Sequence, residues 1–410
     1  MDSVIVVGAS LAGWRATEAL RAEGFQGKIS LVGEERHLPY DRPPLSKQVL
    51  AGTWPPEKAV LADKKRSSEL RIHEVLGRRA TGLNVAGRAV ALDDGSTLTA
   101  DGIVLATGAA PRRLPGTESL GPTDGLHVLR TIDDSLSLRA ALTSRERPRV
   151  VVVGAGFIGS EVASTCAGLG CEVTVLEVMD VPLSNVLGPV VGAHCASLHG
   201  TNGVSLRTGV GLERIERGEA GSGSGRLSAH LRDGEVFDAD VVVVGIGVSP
   251  STSWLESSGL TIDNGVVCDD RLFVADGIVA AGDMARWLWR HDGSEELIRI
   301  EHWEVAANAG AAAARSLLTG RADAPSFTPI PYFWSDQYGI RIQVLGNPGG
   351  DDEMVITEGS FEEGKFVAVF GRGGRLRAVM AIGKPRQLMG FRPLLQNGAS
   401  FDDALAHGLS

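Results

Sequence analysis

Cysteine is scarce in this sequence, with four residues among 410. A fold held together by a disulfide framework needs more cysteines at regular spacing and is therefore excluded. Such sparse usage is typical of compartments in which thiols stay reduced. We expect a cytoplasmic protein whose stability comes from large buried apolar cores.

Positive charge is also in deficit, because 40 lysines and arginines face 50 aspartates and glutamates. The net charge of −10 argues against nucleic acid or an anionic membrane as the main partner. Long apolar runs are missing as well, since the N-terminal run SVIVVGASLAG is too short and too glycine-rich for a membrane span or a signal peptide. The nine histidines show no zinc-binding spacing, so no metal site is predicted.

Glycine, in contrast, is abundant, and its 53 residues suit an α/β protein with tight turns between buried strands. The pattern of residues 3–32 predicts strand, turn, helix and strand, and residues 149–177 repeat this order. After residue 321 the pattern changes to short strand-like runs. We predict two Rossmann-like nucleotide-binding domains and an α+β C-terminal domain. The Gly/Ser segment 218–225 predicts a mobile hairpin tip.

The turn GASLAG is a glycine fingerprint in which a serine replaces the middle glycine: Gly8, Ser10 and Gly13. The first glycine permits the tight turn, and the last permits close packing of helix on strand. The middle residue must be small so that the backbone can approach a pyrophosphate at the helix N-terminus. Glu34 and Glu35 end the next predicted strand, where a carboxylate is expected to bind ribose hydroxyls.

A second fingerprint, GAGFIGSE, contains Gly154, Gly156 and Gly159 and is followed by Glu161. Glu177 ends the next predicted strand, where a carboxylate accepts hydrogen bonds from the adenosine 2′-hydroxyl and repels a 2′-phosphate. No lysine or arginine occurs between residues 172 and 194, so the sequence around this acid favours NADH over NADPH.

The segment GIVAAGDMA places Asp283 at the end of a buried strand, a position that commonly binds the ribityl chain of FAD. The first fingerprint is therefore assigned to FAD and the second to NADH, so that hydride can pass from nicotinamide to flavin. This is a glutathione-reductase-like arrangement. We predict an FAD-binding domain from residues 1–113 and 242–321, an NADH-binding domain from 114–241, and a C-terminal domain from 322–410.

Flavoproteins with two such fingerprints often carry a reactive cysteine pair soon after the first one. Here that place holds YDRPPLSK, Tyr40 to Lys47, which has no cysteine. Cys166 and Cys171 do have the C-x4-C spacing of such a pair, but they follow the second fingerprint, where we expect small buried hydrophobic residues. Without a disulfide relay, the flavin must pass electrons to the acceptor itself.

The motifs together resemble one family. The segments PYDRPPLSK, ATGAAPR, GAGFIGSE, AAGDMA, EHW and PYFWSDQYG occur in the order and spacing of the NADH-dependent ferredoxin reductases of bacterial oxygenase systems. Putidaredoxin reductase, rhodocoxin reductase and the biphenyl dioxygenase ferredoxin reductase are members, and apoptosis-inducing factor is a more distant relative. The resemblance covers nearly all of the chain. It departs at Ser10 and in VMDVPLSN, where many relatives have an arginine soon after the ribose-binding acid.

The resemblance implies cofactor contacts residue by residue. Around FAD it places Ala12, Glu34, Arg42, Lys47, Ala80, Arg130, Asp283, Trp303 and Trp334. Along NADH it places Gly156, Phe157, Ile158, Gly159, Glu161, Glu177, Gly245 and Glu301. The other positions implied to bind a cofactor are Leu11, Ala106, Thr107, Gly108, Gly282, His302, Ile246 and Gly247.

Three of these residues are expected to act in catalysis: Lys47, Glu161 and Glu301. The resemblance implies that Lys47 puts a positive charge near the flavin ring and that Glu301 orients the nicotinamide. The prolines favour a helix over PPLSKQVLAG beside the flavin. The segment EHWEVAANAGAAAA predicts a second helix, whose N-terminal amides would stabilise negative charge on reduced flavin.

The family's electron acceptor is a [2Fe–2S] ferredoxin, which is typically acidic, so a local basic patch must offset the negative charge of this chain. Residues 371–392 contain six basic residues and no acidic one. We predict ferredoxin docking on this basic run: Arg372, Arg375, Arg377, Lys384, Arg386 and Arg392. The oxygenase that receives the electrons is left open between a cytochrome P450 and a ring-hydroxylating dioxygenase, and the protein is expected to be a monomer or a homodimer.

Other functions are compatible with two fingerprints. An NADH oxidase or peroxidase would need a reactive cysteine near residue 42, and a membrane quinone reductase would need a longer and less acidic C-terminal helix than FDDALAHGLS. An NADH-binding sensor or assembly factor, as apoptosis-inducing factor suggests, remains an alternative. Slow flavin reoxidation and an NADH-driven dimer would identify it.

Overall fold

The computed structural model describes residues 1–218, 226–291 and 294–409, so all but the first residue of the predicted hairpin tip lies outside the described residues. The chain divides into two compact units. The first consists of Met1–Asp41, Val60–Ala110 and Ser249–Phe333, and the second of Arg42–Ala59, Pro111–Val248 and Trp334–Ser410.

The strands are numbered in chain order. They are β1 Ser3–Val7, β2 Lys28–Gly33, β3 Ile72–Leu76, β4 Ala80–Asn84, β5 Ala89–Leu92, β6 Thr97–Thr99, β7 Gly102–Leu105, β8 Ala109–Pro111, β9 Leu126–Val128, β10 Arg149–Val153, β11 Glu172–Leu176, β12 Ser205–Arg207, β13 Leu212–Arg217, β14 Leu227–Leu231, β15 Val236–Ala239, β16 Val241–Val244, β17 Val248–Pro250, β18 Val266–Cys268, β19 Phe273–Ala275, β20 Ile278–Ala280, β21 Ala285–His291, β22 Ser294–Ile298, β23 Tyr332–Gln337, β24 Ile340–Gly346, β25 Glu353–Ser360, β26 Lys365–Arg372 and β27 Arg375–Ile382.

The α-helices are α1 Leu11–Ala22, α2 Gln48–Ala51, α3 Lys64–Glu69, α4 Ile132–Leu142, α5 Phe157–Gly168, α6 Ser184–Thr201, α7 Trp303–Thr319, α8 Pro385–Gly390, α9 Arg392–Gln396 and α10 Phe401–Gly408. Short 3₁₀ segments occur at Pro43–Ser46, Pro56–Ala59, Ser253–Ser258 and Gly282–Met284. Within the described residues, none of the helices is both long and apolar enough to cross a bilayer.

The main sheet of the first unit has the strand order β19-β20-β7-β1-β2-β3. The strand β1 pairs in parallel with β2 and β7, and β20 pairs in parallel with β7. Its strands are rich in valine, isoleucine and leucine because both faces of the sheet are buried. The predicted strand, turn, helix and strand of residues 3–32 are confirmed.

The helices α1 and α7 of this unit pack closely because a glycine stands at their contact. A Cβ atom on Gly310 would lie 2.1 Å from the backbone oxygen of Ala12. The buried side of α7 is otherwise made largely of alanine, including Ala306, Ala309 and Ala313. Small side chains let the two helix backbones approach closely. The sequence predicted a helix over EHWEVAANAGAAAA but not its packing against α1.

The second unit repeats the parallel design with the strand order β12-β11-β10-β16-β9. The strands β11 and β16 pair in parallel with β10 on either side. The helix α5 begins at Phe157 and ends at Gly168, in agreement with the predicted helix after the second fingerprint. The carboxyl ends of β10, β11 and β16 therefore lie at one edge of the sheet.

The C-terminal part is a five-stranded sheet in the order β23-β24-β27-β26-β25, followed by the short helices α8, α9 and α10. The pairings of β24 with β27, β27 with β26, and β26 with β25 are antiparallel. This confirms the predicted α+β character. The predicted domain boundaries stay a prediction, and they differ from the compact units in placing Arg42–Ala59 with the FAD-binding domain.

A buried polar chain joins three elements of the second unit. The Nδ1 atom of His199 in α6 lies 2.8 Å from the Tyr338 hydroxyl, and its Nε2 atom lies 3.3 Å from Oγ of Ser160 in α5. The Tyr338 amide also donates to Oγ of Ser164 at 2.7 Å. Tyr338 has a φ of 52° in the turn between β23 and β24, so these contacts hold a large residue in a strained turn conformation.

The close approach at Gly310 predicts a stability effect. Gly310→Ala should lower the free energy of unfolding by about 2 kcal/mol or more, because the added methyl group overlaps a backbone carbonyl that cannot move away. Gly200→Ala is the matched control, since Gly200 lies in α6 and an added Cβ there would have nothing within 4 Å. The control should gain about 0.5–1 kcal/mol. Thermal unfolding of both variants measures this, and equal midpoints would contradict the close-contact argument.

A second prediction concerns acid stability. Burial lowers the pKa of His199 to about 4, whereas an unfolded histidine titrates near pH 6.5. As pH falls below 6.5 the unfolded chain gains a proton that folded His199 does not, so the stability lost is about 1.4 kcal/mol per pH unit. His199→Asn keeps a polar group and removes the titration. Urea midpoints at pH 7.5 and 5 should therefore differ less in this variant than in the native protein, and equal differences would contradict the assignment.

Candidate cofactor and catalytic site

The first fingerprint is a turn that only small residues can form. Gly8 has a φ of 121°, and a Cβ on it would lie 2.0 Å from the Ala106 backbone oxygen. A Cβ on Gly13 would lie 1.8 Å from the Gly8 backbone oxygen. Both glycines are therefore required by backbone contacts, as predicted from the motif.

The N-terminus of α1 suits an anion. The side chain of Ser10 does not cap the helix, and the first turn contains no acidic residue. The first N–H groups of a helix have no partner within the helix, and they carry partial positive charge. This end of the helix, and the Ser10 hydroxyl beside it, fit the pyrophosphate of a dinucleotide.

The other predicted FAD residues of the first unit follow the carboxyl ends of neighbouring parallel strands. Glu34 follows β2, the run from Ala106 to Gly108 follows β7, and Gly282 and Asp283 follow β20. These strands are adjacent to one another or to β1 in the sheet. Nucleotides bind in the crevice beyond such strand ends, so the topology brings these residues to one place.

The two acids after β2 have different surroundings. Glu34 is exposed, whereas Glu35 accepts a hydrogen bond from the hydroxyl of buried Tyr40. Glu34 is the acid with the exposure that ribose binding needs. Glu35 holds the chain that leads into the YDRPPLSK segment.

An arginine that the sequence did not single out connects two predicted site residues. Arg299 donates to the Asp283 backbone oxygen at 3.0 Å and forms an ion pair with Glu301 at 2.6 Å. Its side chain is only 10% exposed. The position of Glu301 thus depends on Arg299, which lies two residues earlier in the chain and gives no motif signal of its own.

The start of α7 presents His302 and Trp303. The Nδ1 atom of His302 is buried and has no hydrogen-bond partner among the described residues. Burial lowers the pKa of His302 to about 4, so the ring is neutral at neutral pH. Trp303 donates from Nε1 to Asp41 at 2.8 Å, and burial raises the pKa of that aspartate. A buried polar atom without a partner, close in sequence to an uncapped helix N-terminus, fits a polar cofactor such as FAD.

In the second fingerprint the first and last glycines again meet backbone oxygens, and the middle glycine faces open space. A Cβ on Gly154 would lie 2.5 Å from the Gly245 backbone oxygen, and one on Gly159 would lie 2.0 Å from the Gly154 oxygen. A Cβ on Gly156 would have nothing within 4 Å. Gly156 therefore leaves room at the start of α5, where the backbone of a Rossmann turn meets a pyrophosphate. The run from Gly245 to Gly247 follows β16 at the same sheet edge.

The predicted ribose acid of this half is held by backbone amides. Glu177 is buried and accepts from the Ala155 amide at 2.7 Å and from the Met179 amide at 2.9 Å. The sequence argument considered only residues 172–194 and did not include Arg207. This arginine ends β12, which pairs with β11, the strand that Glu177 follows. However, Arg207 is paired with Glu235 at 2.7 Å, which offsets its charge.

Lys47 and Glu161 form a buried ion pair. Lys47 Nζ lies 2.7 Å from Glu161 Oε2, and the two side chains are 12% and 3% exposed. Ser46 Oγ donates to the same oxygen at 2.6 Å. The other oxygen, Oε1, accepts from Ser335 Oγ at 2.8 Å and lies 3.3 Å from the Asp336 amide. Neither Ser46 nor Ser335 was singled out from the sequence.

The helix predicted over PPLSKQVLAG is wrong in one respect. The structure has a 3₁₀ segment at Pro43–Ser46 and a separate helix α2, with Lys47 between them at φ −123° and ψ −100°. Consecutive residues of a helix point in different directions. The break at Lys47 lets both Ser46 and Lys47 reach one carboxylate oxygen of Glu161.

Four further predicted FAD residues lie elsewhere. Arg42 donates to the Arg130 backbone oxygen, and the Arg130 amide donates to Asp134 at 3.1 Å. Ala80 begins β4 and is buried, and Trp334 lies half-buried in β23. Ala80 belongs to the first compact unit, and Arg42, Arg130 and Trp334 belong to the second.

The cysteines lie where the sequence placed them. Cys166 is buried in α5 and Cys171 precedes β11, and both are free. Contact with Cys171, together with burial, raises the pKa of the Cys166 thiol, and the same contact lowers the pKa of half-buried Cys171. The case against a flavin-linked disulfide therefore rests on position, because both cysteines follow the second fingerprint. Among the described residues, no group of histidine, cysteine or acidic side chains could hold a metal ion.

Comparison with known proteins places the chain. Residues 2–310 match the family described as pyridine nucleotide-disulphide oxidoreductase, and residues 332–408 match the one described as reductase C-terminal. The chain is 39% identical to the ferredoxin reductase component of chlorobenzene dioxygenase from Cupriavidus sp. (strain PS12), over 98% of this chain and 94% of that protein. It is also 39% identical to the ferredoxin--NAD(+) reductase component of the anthranilate 1,2-dioxygenase system from Burkholderia cepacia, over 98% and 96% of the two chains.

A solved structure gives the same result. The chain resembles the reductase in the covalent putidaredoxin reductase–putidaredoxin complex with a TM-score of 0.91 and 31% identity, over 98% of this chain and 95% of that chain. The fold predicted from the motifs is thereby confirmed. The chain belongs to the pyridine nucleotide-disulphide oxidoreductase family, in its branch with a reductase C-terminal domain, and its cofactors are FAD and NADH.

Proposed function

We propose that this chain is an NADH-dependent ferredoxin reductase, which passes electrons from NADH through FAD to a [2Fe–2S] ferredoxin serving a cytochrome P450 or a ring-hydroxylating dioxygenase. The observation that carries the proposal is the Lys47–Glu161 ion pair. Its lysine lies in the segment after the first fingerprint, where disulfide-using flavoproteins have a cysteine pair. A cation paired with a carboxylate cannot accept electrons, so the acceptor must be served without a disulfide relay.

Bound FAD supplies the ability to take two electrons as hydride and to release them one at a time. The chain's own groups hold and polarise it. The start of α1 and Ser10 would bind the pyrophosphate, Asp283 would bind the ribityl chain, and Lys47 would place positive charge near the ring, where reduction adds negative charge. His302 is neutral at neutral pH, so its Nδ1 atom can either donate one hydrogen bond or accept one, depending on the tautomer.

Preference for NADH rests on Glu177. Two backbone amides hold its carboxylate, and each oxygen keeps a further lone pair for a ribose hydroxyl. A 2′-phosphate at this place would be repelled by the same carboxylate. Arg207, the cation of the neighbouring strand, is already paired with Glu235.

Ferredoxin docking on the basic run is also a proposal, and its charges are not equivalent. Arg372 is paired with Asp352, and Lys384 is paired with Glu358. Arg377 is only half-exposed, with a buried Nε atom, and presents less of its charge to a partner. Arg375 and Arg386 are exposed and are the residues we propose to meet an acidic partner.

The cytoplasm is the proposed compartment, because the four cysteines are free, as is typical where thiols are kept reduced. Detection of the protein in the soluble cell extract, with all four thiols accessible to a thiol reagent after unfolding, would support it. Recovery with oxidised cysteines would argue against it.

The function predicts a specific electron path. FAD-loaded protein should reduce cytochrome c rapidly with NADH only when a [2Fe–2S] ferredoxin is added. With NADPH the kcat/KM should be at least about tenfold lower, because a 2′-phosphate would face the Glu177 carboxylate. Steady-state kinetics with both nucleotides measure this. A different result would support the NADH-sensor alternative: fast flavin reduction by NADH, slow flavin reoxidation, and no increase in cytochrome c reduction with any of several acidic ferredoxins.

Charge reversal tests the docking proposal. Arg375→Glu together with Arg386→Glu should raise the KM for ferredoxin about tenfold at low ionic strength and less at high salt, because screening weakens the attraction. The rate with the small acceptor ferricyanide should not change. Arg214→Glu with Arg232→Glu is the control with the same change in net charge, because both arginines are exposed, Arg214 in β13 and Arg232 in the turn after β14. If both double variants raised the KM for ferredoxin equally, the effect would come from net charge and not from a docking surface, and the proposal would be contradicted.

A further inference from the structure

The carboxylate of Glu161 is divided between two parts of the chain. Its Oε2 atom accepts from Ser46 and Lys47, which precede α2. Its Oε1 atom accepts from Ser335 at 2.8 Å, with the Asp336 amide at 3.3 Å. The segment before α2 and the strand β23 of the C-terminal sheet therefore each hold one oxygen.

The hydroxyl of Ser335 has a defined direction. Gln337 Nε2 donates to Ser335 Oγ at 3.1 Å, and Ser335 Oγ donates to Glu161. A hydroxyl has one hydrogen, so accepting from Gln337 leaves that hydrogen for the carboxylate. Ser335 and Gln337 are 0% and 1% exposed, and water therefore does not compete for these bonds.

The turn that follows β23 is anchored separately on the NADH-binding side of the second unit. The Tyr338 amide donates to Ser164 in α5, and the Tyr338 hydroxyl contacts His199 in α6. Ser335 is thus presented to Glu161 from a strand whose following turn is fixed in place. A buried carboxylate needs every available donor, because a lone pair left unmatched in the interior costs free energy.

From this geometry we infer that Ser335 is a positioning residue for the reaction: it orients the Glu161 carboxylate and thereby the Lys47 ammonium group. This rests on the proposed function, in which Lys47 and Glu161 act at the cofactors. Ser335 itself touches neither reacting atom and acts through Glu161. The C-terminal sheet then contributes to hydride transfer, in addition to any part that it has in ferredoxin binding.

The test uses FAD-loaded protein and the variant Ser335→Ala. Anaerobic stopped-flow measurement of flavin reduction by NADH should show a rate about tenfold lower, the effect expected for losing one hydrogen bond to a charged group. Calorimetric titration gives the Kd for NAD⁺ as a readout that does not depend on turnover, and it should rise severalfold. Ser335→Thr, which keeps the hydroxyl, should restore most of the rate.

The matched control is Thr357→Val. Thr357 is a buried residue of β25 in the same sheet, and its hydroxyl has no partner among the described residues. This change removes a buried hydroxyl without touching Glu161, so both the rate and the Kd should stay within about twofold of native.

A double-mutant cycle separates positioning from a structural effect. Glu161→Gln should lower the rate more than Ser335→Ala, and the double variant should be no slower than Glu161→Gln alone, because Ser335 acts only through that carboxylate. If Ser335→Ala does not fold, Gln337→Met tests the same chain by removing the donor that orients Ser335. Its effect should have the same direction and be smaller.

The outcomes distinguish this inference from the proposed function. Additive effects in the cycle, or a Ser335→Ala rate equal to that of Thr357→Val, would overturn the inference while native ferredoxin reduction still stood. A native protein that accepts hydride from NADH but reduces no ferredoxin would remove the proposed function, and the cycle on the hydride step would still decide the role of Ser335.

Discussion

The buried Glu161 carboxylate is the constraint that organises the second compact unit. An ionised carboxylate in the interior must be matched by donors, and here the segment before α2 supplies Ser46 and Lys47 while β23 supplies Ser335. Removing one partner of such a pair typically costs about 3–5 kcal/mol, because the other charge is left buried. The conformation of Lys47 follows from this requirement, since a continuous helix could not point two consecutive residues at one oxygen.

The two glycine turns show how one motif can serve two binding tasks. In both, the first and last glycines are required because an added Cβ would lie 2.5 Å or less from a backbone oxygen. The middle positions differ: Gly156 leaves open space, whereas Ser10 contributes a hydroxyl that does not cap its own helix. Close packing is therefore the same in the two turns, and the ligand side of each turn varies.

Function in this chain depends on where charge is placed. A lysine with a buried counterion stands where related flavoproteins have a redox-active cysteine pair. The two spaced cysteines lie elsewhere, Cys166 in α5 and Cys171 just before β11. A neutral His302 and the uncapped start of α7 add polar groups to the first unit without adding an electron acceptor. These features suit a protein that moves electrons through its cofactors alone.

Local patterns in the sequence were sufficient for the nucleotide-binding turns, the parallel strands and the placement of Glu34, Glu177 and Asp283 after strand ends, because period and turn chemistry act over a few residues. The cofactor contacts of these acids stay a prediction. The helix at Pro43 was mispredicted, since the break at Lys47 depends on a carboxylate 114 residues away. Arg299 and His199 belong to no motif, and Ser335 lies within PYFWSDQYG without a pattern that assigns it a role. Arg207 comes close to Glu177 only because β12 pairs with β11. Their roles were decided by tertiary structure, because a buried charge is satisfied by whichever donors folding brings within hydrogen-bond distance.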